Sequence, residues 1–256
     1  METQSPVSLW VTGGMAAAFV AVHVLIGRLT FLDRTPRSAW LSFSGGVAVA
    51  YVFLHILPEL ASHGEIFASA LRLEDRLAEA WVYALALTGL ALFYGVERAV
   101  TVSRSDQRAK GEGDRPESGV FWVHLVTTGS LVAIISYLLN HREDMSASGL
   151  AVFFVAMVLH FMTADYGARA NHPELYERYG RWVLALASLG GWLLGTLVAL
   201  PEFGIACLFA FLGGGIILVV MKEELPAERQ SRFFPFLIGT VLYAMLVIGE
   251  TYLVGG

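Results

Sequence analysis

Charge is scarce in this chain. Only 15% of its 256 residues are Asp, Glu, Lys or Arg, against 56% that are hydrophobic, and the mean hydropathy is +0.62. Water-soluble domains carry roughly 25% charged residues, so a soluble fold is excluded first. Cysteine is nearly missing as well. Cys207 stands alone inside an apolar run, which rules out a disulfide framework and any CxxC metal or redox motif. Strand-type alternation is missing, which argues against a membrane barrel. Neither HExxH nor GxSxG occurs, so no enzyme activity is expected. The opening "METQSPVSLW" has no basic segment ahead of its apolar run, so that run reads as a retained span rather than a cleaved signal peptide. With most of the chain in lipid, the net charge of −5 points to no nucleic-acid partner.

What is present is a series of long apolar runs. About 20 residues cross the hydrocarbon of a bilayer. Eight runs approach or reach that length: Leu9–Leu29, Ala39–Ala61, Ala80–Val96, Val120–Leu139, Leu150–Ala164, Trp182–Leu200, Phe203–Val220 and Phe233–Val254. The fifth is short and needs tilt, or a helix that continues past Asp165. The expectation is an all-α membrane protein of eight transmembrane helices, residues 1–256 forming one polytopic domain. The polar stretch "TVSRSDQRAKGEGDRPESG", Thr101–Gly119, reads as a flexible cytoplasmic loop between spans 3 and 4.

Basic residues set the orientation, because Lys and Arg collect in cytoplasmic loops. Of seventeen, only Arg72, Arg76 and Arg142 fall in the loops after spans 2 and 4; the other fourteen lie in those after spans 1, 3, 5 and 7. Both termini should then lie outside the cytoplasm. A seven-span count would break this partition. A seven-span retinal protein would also need a lysine deep in its last span, and Lys110 and Lys222 are not there.

Two segments echo each other. "SGGVAVAYVFLHILPEL" (Ser44–Leu60) aligns with "LGGGIILVVMKEELPAE" (Leu212–Glu228), bringing Gly46 onto Gly214 and Pro58 onto Pro226. Span 2 runs outward and span 7 inward, so the echo is inverted. Inverted repeats with broken helices mark transporter folds.

Ionisable groups inside a membrane are costly, at about 2.5–3.5 kcal/mol for a mid-span charge, and usually serve function. His124 enters span 4 about 9 Å from its cytoplasmic start, by the helical rise. His160 lies near the cytoplasmic end of span 5, so the two imidazoles share a level. Asp165, Thr128 and Glu223 lie toward the same side. Imidazole and carboxylate together suit zinc, iron or manganese. His55 and Glu59, four residues apart on one helix face, sit in the outer half of span 2, where Pro58 should bend the helix; they are expected to line the way in. His23 reads as a structural histidine.

On these residues the chain resembles the ZIP family of divalent-metal transporters. That family has eight spans, outside termini, a variable cytoplasmic loop after span 3, and an inverted repeat relating spans 1–3 to 6–8. Its span 4 carries HNxxDG and its span 5 HExPHE. Here they read "HLVTTG" (His124–Gly129) and "HFMTAD" (His160–Asp165). Leu125, Thr128, Phe161, Thr163 and Ala164 replace five family residues, so the usual two-metal site is incomplete. The resemblance implies a divalent cation as substrate, zinc first. It would be held in a simplified site by His124, His160, Asp165, Glu223 and Thr128, and moved toward the cytoplasm. It implies a bacterial inner membrane and allows a homodimer. The alternative is a ZIP-fold sensor or binding subunit that does not transport.

Overall fold

The computed structural model describes residues 6–29, 39–141, 147–224 and 232–254, with side chains over 9–29, 39–141, 149–222 and 232–249. Among these residues there are eight long helices and no strand. They are α1 (Pro6–Leu25), α2 (Ala39–Leu71), α3 (Asp75–Ala109), α4 (Ser118–Leu138), α5 (Ala147–Asn171), α6 (Arg181–Leu197), α7 (Glu202–Glu224) and α8 (Phe233–Val254). Six of them are long and apolar enough to cross a membrane; the described apolar parts of α6 and α8 are shorter. Trp10, Leu186, Leu197, Phe234 and Met245 project outward with more than half of their surface exposed. Large apolar side chains on the outside of such a bundle fit a lipid solvent and make this an integral membrane protein.

The helices alternate in direction, and side-chain pairs establish it. α2 and α8 run parallel: Ser42 meets Arg232, Gly46 meets Phe236 and Thr240, and His55 meets Tyr243. α3 and α7 run parallel, with Ala86 at Gly214 and Glu97 at Lys222. α4 and α6 do the same, from Gly191 at Ala133 to His141 at Gly195. α2, α5 and α7 bury half or more of their apolar windows, whereas α1, α3 and α4 bury a third or less. The first three therefore form the centre.

Two close crossings share one geometry. A β-carbon on Gly46 would overlap the carbonyl of Phe236, and one on Gly239 the carbonyl of Phe43. In the other crossing, a β-carbon on Gly214 would overlap the carbonyl of Ala86, and one on Gly89 the carbonyl of Phe211. Small residues let membrane helices approach backbone to backbone. The spacings are the same in both: Phe43 and Gly46 against Phe236 and Gly239, Phe211 and Gly214 against Ala86 and Gly89. Gly46 and Gly214 are the two residues that the sequence echo aligns; Pro226 lies outside the described residues.

Two local features differ from expectation. Pro58 does not bend α2 by a simple break. Its ring clashes with the carbonyl one turn back and it donates no hydrogen bond. The chain absorbs this with a π turn over Val52–Ile56, in which Leu57 N–H donates to Val52 O. The segment after span 3 is not a loose loop. α3 continues to Ala109 and stops at Gly111 and Gly113, both at positive φ. Arg104 then grips Asp114 at 2.9 Å, Arg115 grips Glu174 at 2.9 Å, and the Glu117 amide donates to the Ser103 hydroxyl. The Arg104 guanidinium holds the Asp114 carboxyl below its ordinary range, and Arg115 does the same for Glu174. Arg34, Arg37, Arg142 and Arg229 of the charge argument lie outside the described residues.

The stretch after α5 is equally specific. Pro173 starts a short turn, Pro173–Leu175, and a π turn follows over Tyr176–Gly180. This folds the Tyr176 ring completely into the bundle beside the end of α1. Glu177 is held from both sides by Arg169 and Arg181.

Candidate functional site

At the end of the bundle carrying the α3–α4 connection, a cavity of about 40 Å3 lies between α3, α4, α5 and α7. His124, Thr128, His160 and Asp165 all line it, together with Glu97 and Lys222. The two imidazoles singled out in the sequence therefore face one space. Both residues lie in the half of their helix nearer the α3–α4 connection, since α4 runs away from that end and α5 runs toward it.

The charges in this cavity are already paired. His124 Nε2 lies 3.0 Å from Glu97 Oε1, and the Lys222 ammonium holds the other carboxylate oxygen of Glu97. Glu97 thus bridges an imidazole and an ammonium from two other helices. Thr128 turns its hydroxyl back to the His124 carbonyl, 2.9 Å away, so its proton is spent on its own helix. On the deeper side, Asp165 Oδ2 accepts from His23 Nδ1 at 2.7 Å, with both side chains at or below 1% exposure. A carboxylate partner fixes the proton on Nδ1 and leaves Nε2 as the acceptor. That buried Nε2 has no hydrogen-bond partner among the described residues. Phe161 packs its ring against both His23 and His160, at 4.9 and 5.9 Å.

The expected grouping is thus present in part. Asp165 lines the cavity, yet its hydrogen bond goes to His23, because five residues of helix turn it about 140° away from His160. Glu223 lies beyond the residues whose side chains are described. Among the described residues, no three His, Cys, Asp or Glu side chains are grouped closely enough to hold a bare metal ion. The donors present suit a divalent cation in type, and in this arrangement they fall short of a finished coordination shell.

A second cavity, about 120 Å3, opens between α2, α4, α5 and α7 toward the opposite end. Glu59 is among its lining residues and His55 is not. His55 stacks on Tyr51 at 5.2 Å and places Nδ1 3.3 Å from the Tyr243 hydroxyl. In its place the wall carries His63, one turn beyond Glu59, with His141 and Glu202. Ile135 of α4, 2% exposed, lines both cavities and is the shared wall between them.

Sequence reasoning missed Glu97, Lys222 as a site residue, His23 as a partner, and His63. Each stood near the edge of an apolar run. The signal that could have found Glu97 and His63 is helix continuity: both lie on the face of their helix that already carried a buried or polar group, Phe93 four residues before Glu97 and Glu59 four before His63.

No family model, curated protein or solved structure matches this chain.

Proposed function

We propose that this chain is a ZIP-like membrane carrier of a divalent cation, zinc before iron or manganese, moving it toward the cytoplasm through a simplified site. The observation that carries this reading is the single cavity shared by His124, His160 and Asp165. Three further features support it. Helices alternate in direction across the bundle. The crossings at Gly46 and Gly214 repeat the same spacing, as an inverted repeat of spans 1–3 and 6–8 requires. Two cavities open toward opposite ends, with Ile135 between them.

In this reading Lys222 acts as a tethered cation. With no cargo present, its ammonium neutralises Glu97, which would otherwise be a costly partly buried charge. An arriving metal ion would displace the ammonium and take over Glu97 and His124, with His160 completing the approach. A carrier needs such a labile site, since a cation bound too well is never released.

The test is uptake of zinc, iron(II) and manganese(II) into proteoliposomes. Wild-type chain should accumulate at least one of them. His124→Ala with His160→Ala should reduce uptake to the protein-free background. Equal uptake by both removes the site assignment.

A second reading is favoured by one specific observation, the Glu97–Lys222 pair itself. A site whose carboxylate is permanently neutralised suits a sensor or binding subunit that keeps the fold and does not transport. Uptake at background for every metal by wild-type chain, with zinc still bound on elemental analysis, would select it.

A further inference from the structure

The wider cavity carries chemistry that the cargo site does not. His63 is 2% exposed and places Nδ1 against the backbone carbonyl of Glu59. A carbonyl only accepts, so Nδ1 carries the proton and the neutral ring keeps a lone pair on Nε2. That nitrogen has no hydrogen-bond partner among the described residues, although the ring lines the cavity. Its plane is held by stacking on Phe209, 5.0 Å away at an interplanar angle of 9°.

His141 repeats the arrangement from α4. Its Nε2 donates to Gly195 O at 2.9 Å, and its ring stacks on Tyr137 at 4.6 Å. With that N–H on Nε2, the neutral tautomer has Nδ1 as its acceptor. Glu202, in the first turn of α7, adds a carboxylate at the same wall. The wall is thus furnished with acceptors, each imidazole already donating its N–H to a backbone carbonyl. A ligand that satisfies it must be rich in donors and positive in charge.

Size decides which ligand. The wide cavity, at about 120 Å3, has three times the space of the narrow one at about 40 Å3, and both exceed the roughly 10–15 Å3 that one water needs. The acceptors of the wide cavity are also not grouped to ligate a bare ion directly. We propose that the wide cavity binds a divalent cation with its hydration shell intact, the bound waters donating to His63, His141 and Glu202. The inference rests on the carrier reading above and assigns it an order: hydrated capture in the wide cavity, then loss of water at the Ile135 wall before the narrow one.

The test uses hexaamminecobalt(III), an inert mimic of a hydrated cation that cannot exchange its ligands, added to the full-length chain in detergent and followed by titration calorimetry. Wild-type chain should bind one equivalent saturably. Glu202→Lys, a change at an exposed position that supplies its own ammonium, should weaken binding by about tenfold, the effect of losing a charge-assisted hydrogen bond. His63→Leu should weaken it similarly. His124→Ala with His160→Ala should leave it unchanged. No saturable binding by wild-type chain, or equal affinity in Glu202→Lys, overturns the proposal. The two readings fail separately: binding of the complex without metal uptake refutes the carrier alone, and uptake without binding refutes hydrated capture alone.

Discussion

The two cavities treat charge in opposite ways. In the narrow one every carboxylate already has a cationic or imidazole partner: Glu97 has His124 and Lys222, and Asp165 has His23. In the wide one the imidazoles donate their N–H to backbone carbonyls and keep an unused acceptor each. The difference follows from water. A narrow site between packed helices leaves a charge unpaired only at high cost, because desolvating a charge in an apolar interior costs far more than leaving it beside a roomier space. A roomier site can leave acceptors to solvent until a donor-rich guest arrives. Closed pairs tie helices together at one end, and imidazoles with an unused nitrogen line the cavity at the other.

The largest effect should come from breaking the driest pair. Asp165→Ala leaves His23 buried without a partner at either nitrogen, and the chain should lose about 3–5 kcal/mol of stability. The readout is the thermal unfolding midpoint in detergent, and an unchanged midpoint would show that the pair is not a structural tie. A matched change in the wide cavity, His141→Phe, keeps the ring stack on Tyr137 and should cost far less in the same assay.

Next come the helix crossings. Gly214→Ala places a methyl on the Ala86 carbonyl and should destabilise the α3–α7 contact by about 1–3 kcal/mol. Gly95→Ala in α3 meets open space and should be neutral or stabilising by up to about 1 kcal/mol. Equal melting points for the two variants would show that the close approach is relaxed in the membrane protein.

A smaller effect is expected from Lys222→Met. Removing the tethered ammonium frees Glu97 beside His124, so zinc affinity by calorimetry should rise about tenfold, while Lys222→Arg should match wild type. Equal affinity for all three would mean that Lys222 does not occupy the cation position.

The smallest effect concerns the cap over the narrow cavity. Asp114 and Glu174 have carboxyls held below their ordinary range by Arg104 and Arg115. Their contribution is complete above the ordinary carboxyl pKa and fades as pH falls below about 4. Both are exposed, so the loss should register as faster amide exchange in residues 104–117 and not as global unfolding. Exchange that is independent of pH, after correction for its intrinsic rate, would remove these pairs from the cap.

Much of the architecture could be read directly from residue order. The eight apolar runs became eight helices, and the echoed Gly46 and Gly214 both fell on close helix crossings. The helix edges were less legible. Composition drops at Val96 and Ala61, yet α3 runs to Ala109 and α2 to Leu71, because Glu, Arg and Gln are good helix formers and propensity does not stop where hydropathy does. For that reason Glu97 and His63 were placed outside the spans when they belong to the two cavities. The shared level of His124 and His160 was accessible from span direction alone. The diversion of Asp165 to His23 was not, since it depends on which neighbour stands about 140° around α5 from His160.

Composition and period determined by themselves that this chain lives in lipid, that its helices alternate, and roughly how deep each ionisable group sits, because bilayer thickness and helical rise leave little choice. Which of those groups meet was decided only in three dimensions. Partner choice depends on the rotation of each helix about its axis, and that rotation is set by side chains and glycine contacts from helices far apart in the chain.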